Sequence, residues 1–340
     1  MADGAALATK DACSTDPTLV AHHAEVDFAL VVGVDDYPDF RSLQGAVADA
    51  RRFHEWVCAP EGGGVDEANA RLIQSSSNPI TPIQDQIDDA LLELMQKANG
   101  LGGGRRLYFY FSGHGATDPG EPADNVALLL ARWSQHRARF ALSSRDYSTR
   151  LNDSGVFEEL AVFLDCCRSI GVGAVGLPPQ ITFNKTDQRC ATRTFIAYAT
   201  EPGRSAYERR VADRWEGVFT RRLLTILQEE PAGITASLLK DRLELTPYGA
   251  TDQRARVQHD FLGDAMFGKR GALPRLHVTF RAGRARVRLR DGKRRVIAEH
   301  DAGSGPWQVA LPFGLYALED DTPEKLMIDH GLGEVTRVDF

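Results

Sequence analysis

The sequence predicts an α/β fold, a mostly parallel sheet flanked by helices, followed by a small all-β, sandwich-like C-terminal domain. Three observations predict it. Short continuous apolar runs read as strands covered on both faces, and amphipathic segments at helical spacing separate them. After residue 271 the pattern changes to period-two alternation.

The elements follow in order. Beyond a polar tail over residues 1–26, FALVVGV (28–34) is the first strand, closed by the turn signal DDYPD. In LQGAVADARRFHEWV, Leu43, Val47, Ala50, Phe53 and Val57 recur at helical spacing. The loop EGGGV leads to a short strand around 71–73. Ile83, Ile87, Leu91, Leu94 and Met95 mark a second amphipathic helix over 80–97. RLYFYF (106–111), VALLLA (126–131), AVFLDCC (161–167) and TFIAYAT (194–200) read as the further strands of the parallel sheet. Helices are expected over 217–229 and 235–245. From LHVTF (276–280) onward, Arg284, Arg286, Arg288 and Arg290 occupy one strand face, and Ala285, Val287 and Leu289 the other. Asp291–Gly292 reads as a hairpin turn, with further strands at WQVAL, GLYAL and VTRVDF. The division expected is a tail (1–26), an α/β domain (27–270) and a β domain (271–340).

Composition narrows the function. At 340 residues, 43% apolar and 26% charged, the chain is an ordinary globular protein able to bury a sizeable core. A formal charge of -7 argues against general nucleic-acid binding, and leaves the arginine stripe as a solvated strand face or a partner-docking surface. Cys13, Cys58, Cys166, Cys167 and Cys190 have no repeated spacing, which excludes a zinc knuckle or disulfide framework. The first 26 residues lack an apolar signal core, and no apolar run approaches a membrane span. A cytoplasmic, reducing compartment is expected, with no membrane partner.

Two motifs lie beyond the carboxyl ends of strands, where open α/β sheets place their chemistry. In YFSGHG, His114 is flanked by Gly113 and Gly115; in LDCCR, Cys166 and Cys167 follow Asp165. Separately, His114 reads as a hydrogen-bonded structural histidine and the cysteines as small core residues. Together they are a thiol nucleophile and a proton-transfer partner. The histidine lies about 50 residues upstream of the cysteine, the spacing known from caspases.

The blocks ALVVGVDDYPDFRSLQGAVADARRF, YFYFSGHG, VFLDCCRS and FIAYATEPGRSAYERRVADRWEGVFT, in this order over residues 28–230, resemble the bacterial caspase-like cysteine peptidases of the metacaspase and orthocaspase group. The resemblance implies the caspase-hemoglobinase fold and a cysteine endopeptidase. Its D-x-C pattern assigns Cys167 as nucleophile. Strand parity agrees, placing Phe163, Asp165 and Cys167 on one side and Cys166 with the core. It further implies His114 as acid and base, an oxyanion hole from the backbone N–H groups of Gly115 and Cys167, and Asp49 and Asp165 in the P1 pocket. Two carboxylates there favour Arg, then Lys, at P1. Ser112 borders the pocket, Glu208 approaches the P1 cation or forms a loop ion pair, and Tyr198, Ala199 and Thr200 are expected to pair with substrate as an added strand.

Two departures stand out. Arg168-Ser169-Ile170 replaces the usual His-Ser-Gly after the nucleophile, and its cation is expected to favour the thiolate. The first helix keeps only the acid of the usual Cys-x-Asn-Asp, as Asp49. The acids of calcium-dependent relatives find no match, so no metal or other cofactor is expected. Protein substrates are implied, and activation by cleavage in residues 171–193, at Lys185, Arg189 or Arg193, by the enzyme itself or an upstream protease. A second stretch, 134–150, is the other candidate for cutting. The family setting implies bacterial defence or cell death. A different P1 preference and a non-catalytic adaptor are the alternatives, the latter disfavoured by the intact His114 and Cys167.

Overall fold

A computed structural model describes residues 26–340 except 121, 171–172, 183–191, 231–232, 246–251, 262–265, 269–274, 282–285, 291–295, 311–313, 323–324 and 331–334. Counting the strands of the central sheet alone, these are β1 (Asp27–Gly33), β2 (Ala70–Gln74), β3 (Gly104–Ser112), β4 (Phe157–Asp165), β5 (Arg193–Tyr198) and β6 (Arg256–His259). Their spatial order is β6-β5-β4-β3-β1-β2, parallel except for antiparallel β6. The helices are α1 (Ala46–Cys58), α2 (Gln84–Gly100), α3 (Ser144–Ser154), α4 (Val218–Glu229) and α5 (Ala236–Glu244).

The strands read as continuous apolar runs because both faces are covered. Leu30, Val32, Phe109, Phe111, Val162 and Leu164 pack with Ile87, Leu91 and Leu94 of α2 and Tyr147 and Leu151 of α3. The alternate residues Ala29, Val31, Tyr108, Tyr110, Ala161 and Phe163 pack with Phe53 of α1, Leu223 and Leu227 of α4 and Leu239 of α5. The carboxyl edge of β3 and β4, at the centre of the sheet, is therefore held between two full layers.

One strand lies elsewhere than expected. Ala127–Leu129 forms a separate antiparallel sheet with Gly115–Ala116 and Ala141–Ser143. A parallel neighbour needs a crossover of a dozen residues or more, usually a helix. Among the described residues between β3 and Ala127 there is no helix, and past the turn residues Pro119, Gly120 and Pro122 the chain folds back onto Gly115–Ala116 instead.

The C-terminal region is a β-sandwich. One sheet holds Trp307–Ala310, Arg275–Thr279 and Val335–Asp339; the other holds Val296–Asp301, Arg286–Arg290, Gly314–Glu319 and Lys325–His330. Leu276, Val278 and Trp307 of the first meet Val287, Leu289, Leu318 and Ile328 of the second in one core. The arginine stripe has local partners: Arg286 pairs with Glu299, Arg288 with Asp321 and Arg290 with Glu319. Arg284, the Asp291–Gly292 turn and the expected domain boundary at 271 lie outside the described residues. Among the described residues no helix is long and apolar enough to cross a membrane.

Candidate active site

The site is assembled by sheet register. Ser112 of β3 pairs with Asp165 of β4, so the two chains leave the sheet side by side. They stay together: Gly113 N donates to Asp165 O at 3.2 Å and Thr117 N to Ser169 O at 3.0 Å. Between these rungs, a Cβ on Gly115 would lie 2.6 Å from both Cys166 Sγ and Cys167 O. Only glycine lets the histidine loop approach the cysteine doublet this closely. His114 and Cys167 thus stand on adjacent segments at the strand ends.

The doublet divides as parity predicts. Cys166 is 3% exposed and joins Val162 and Leu164 in the core. Cys167 is half-buried, and its Sγ accepts from Ala206 N at 3.3 Å and donates to Ala206 O at 3.5 Å. Burial pushes the Cys167 thiol upward, and burial likewise lowers the His114 imidazole. Both are therefore neutral near pH 7, and no hydrogen bond joins them.

Two residues that sequence reasoning missed orient the imidazole. Tyr37, fully buried, accepts from His114 N at 2.9 Å, donates to Leu129 O at 3.0 Å and lays its ring 4.8 Å from the imidazole. His114 Nε2 lies 2.6 Å from the carbonyl oxygen of Arg41. A carbonyl only accepts, so Nε2 carries the proton and Nδ1 keeps the lone pair. The signal was an aromatic inside the polar turn DDYPDFR, which read as punctuation. Tyr37→Phe leaves His114 N–H and Leu129 O without their partner. The variant is expected to lower kcat about 10-fold with KM little changed, checked by steady-state kinetics on one peptide.

The expected acids do meet, around Gly217. A Cβ there would lie 2.3 Å from Asp165 Oδ2 and 2.6 Å from Asp49 Oδ2. Asp49 is committed within the protein: Oδ2 accepts from Gly217 N at 2.7 Å, and Oδ1 pairs with Arg52, which also holds Glu216 at 2.7 Å. Asp165 Oδ2 accepts from Thr220 N at 3.1 Å and Thr220 Oγ1 at 2.6 Å, while no donor among the described residues reaches Oδ1. Burial and then Asp165 hold Asp49 well above the usual carboxylate range. Burial, with Glu208 adding to it, pushes Asp165 up to about 6. Ser112 is buried beside Asp165. Glu208 accepts from Gly45 N at 2.8 Å at the start of α1, and no cation among the described residues pairs with it.

The substrate-strand expectation is corrected. Tyr198, Ala199 and Thr200 are buried, and most of their polar groups bond internally, Thr200 Oγ1 being the exception among the described residues. Ala199 N donates to Leu164 O and its oxygen accepts from Gln253; Thr200 O accepts from Arg168; Tyr198 Oη donates to Asp124 O. The reason is topological. β5 lies between β4 and β6, with both edges paired, and cannot take another strand. The backbone that meets the thiol is instead that of Ala206. Arg168 also departs from expectation. Its guanidinium bonds Thr200 O and Ala123 O and lies 4.1 Å over Tyr198, so it staples loops together. Of the processing candidates, Arg193 is the first residue of β5 and pairs with Glu159 at 2.9 Å. Lys185 and Arg189 lie outside the described residues. Among the described residues no group of three or more His, Cys, Asp and Glu side chains is placed to hold a metal ion.

Residues 26–258 match the family described as Peptidase_C14, caspase domain. A protein named "Probable protease" from a Desulfuromonadales bacterium is 31% identical over 216 residues, 59% of this chain. The match spans 26% of that relative's own length. Among solved structures, a protein of Geobacter sulfurreducens is similar at TM-score 0.45 and 16% identity, covering 69% of this chain and 93% of the other. Caspase-1 of Spodoptera frugiperda is similar at TM-score 0.44 and 11% identity, covering 74% and 91%.

Proposed function

The chain belongs to the caspase-domain peptidases of family C14, and we propose that it cuts protein chains after Arg, and after Lys, using Cys167 and His114. The observation that carries this reading is the register that sets Gly115 against Cys166–Cys167, with the open Oδ1 of Asp165 two residues before the thiol. His114 Nδ1 takes the thiol proton as Sγ attacks the scissile carbonyl. The oxyanion is received by the N–H groups of Gly115 and Cys167. The C–N bond then breaks, the leaving amine takes the proton from His114, and a thioester remains on Cys167. Water activated by His114 releases the acid and restores the thiol. These steps use no metal or other cofactor.

Asp165 supplies the charge that receives a P1 guanidinium, and Asp49 supports it electrostatically from behind Gly217. Acting in the cytoplasm, the enzyme is switched on by a cut within residues 171–193 or 134–150, by itself or by an upstream protease, in a bacterial defence or cell-death response. The C-terminal sandwich, from about residue 271, is a separate domain that docks substrate or partner. Fluorogenic peptides differing only at P1 test the specificity. Arg is expected to exceed Asp by about 10³-fold or more in kcat/KM, because a carboxylate would enter a pocket already holding acids. A preference for Asp would sink the pocket assignment.

A further inference from the structure

We propose that Phe40 and the cleft beside it receive the side chain of the residue after the scissile bond, and that they select a large aliphatic or aromatic residue there. The inference rests on the peptidase reading above and extends it to the leaving half of the substrate.

Direction along the site follows from the chemistry. The acyl half is fixed on the Cys167 side, where Ala206 and Asp165 lie. The leaving amine must reach the His114 imidazole to take its proton. The residue bearing that amine therefore rests against a group that flanks His114 and is open to substrate.

Two rings flank the imidazole, the buried Tyr37 and the exposed Phe40, and only Phe40 is open to a substrate. Its ring meets the imidazole edge-on at 5.0 Å and meets Trp133 edge-on at 4.8 Å, yet it is 40% exposed. A cleft of about 520 Å³ opens beside it, lined by Asp39, Phe40, Ser134, Gln135, His136 and Arg137. This is within the range that takes a small organic ligand, and so ample for one large side chain. Its far wall is preformed, because Arg137 N donates to Ser134 O at 2.9 Å and Trp133 N to Leu130 O at 2.9 Å. The charges at the rim offset each other, with Arg137 and Asp39 at 3.9 Å. Selection then falls to contact with the Phe40 ring, which favours an apolar group over a charged one.

Internally quenched peptides test this with the full-length protein. P1 is held at whichever residue is cleaved fastest, and the next residue is Gly, Asp, Lys, Leu or Phe. Wild type is expected to prefer Leu or Phe over Gly by about 10-fold in kcat/KM, and Phe40→Ala to shrink that ratio to about 2-fold. The ratio is the readout, since Phe40→Ala also loosens His114 and lowers all rates together. Phe40→Tyr, which keeps the ring, is expected to keep the preference. A flat wild-type profile, or a preference that survives in Phe40→Ala, overturns the assignment while leaving the peptidase reading intact. Failure to cut any peptide or P1 fluorogenic amide brings down the peptidase reading and this inference with it.

Discussion

Cys167→Ala is expected to lower kcat/KM by about 10⁵-fold or more, while Cys166→Ala stays within about threefold of wild type. The two thiols differ by one position and by the alternation of a strand. Cys167 Sγ is half-buried and faces the backbone of Ala206; Cys166 Sγ is packed with Val162 and Leu164. Removing Sγ from Cys166 opens a small void where Gly115 presses on the doublet, at a cost of about 1 kcal/mol. Cys166→Ala should therefore melt a few degrees early yet turn over normally. Alkylation with iodoacetamide gives an independent reading, since the label should fall on Cys167 and not on Cys166. Full activity in Cys167→Ala, or loss confined to Cys166→Ala, would reverse the assignment.

The inward turn of Cys166 was legible because strand parity is a local rule, and a local rule survives without knowledge of neighbours. The roles given to Cys167 and Asp165 came from resemblance. The meeting of Asp49 with Asp165 came from resemblance, and the structure adds what no spacing reveals, that Gly217 lies between them and Arg52 engages Asp49. The substrate strand was misassigned because TFIAYAT looks the same whether its edges are free or paired. Sheet order decides that, and sheet order is a long-range property. VALLLA misled in a similar way, since an apolar run does not announce which sheet it joins. Arg168 was read by its neighbour in sequence, Cys167, whereas a long side chain reaches elsewhere, here to Thr200, Ala123 and Tyr198. The sandwich was visible in its alternation, and the acids facing its arginine stripe come from strands brought together by folding.

Asp165→Asn is expected to lower kcat/KM for P1-Arg peptides by about 10²- to 10³-fold at about pH 7.5, most of it in KM. An amide keeps the shape and can still accept from Thr220, but it presents no charge to the incoming cation. In wild type the same loss should be reached by titration. With Asp165 raised to about 6 by burial and Glu208, kcat/KM for Arg peptides should fall as pH drops through that value. The groups facing it include Asp49, Glu208, Arg52, Thr220, Tyr110, Cys166 and Cys167. His114, lowered by burial, takes its proton below its ordinary value of 6.5 and should appear in kcat. Peptides with an uncharged P1 residue, and the Asp165→Asn enzyme, should lose the KM limb and keep the kcat limb; a KM limb that persists in Asp165→Asn would place the titrating acid elsewhere. Stability should run the other way. A carboxyl whose folded pKa is raised binds its proton more readily when folded, so its stabilising contribution is present at low pH and is lost as pH rises through about 6. Near neutral pH the ionised Asp165 is thus a burden on the fold, and Asp165→Asn should melt no earlier than wild type. A site that selects a cation has to keep a buried negative charge ready before the cation arrives, and the cost of that charge falls on the empty enzyme.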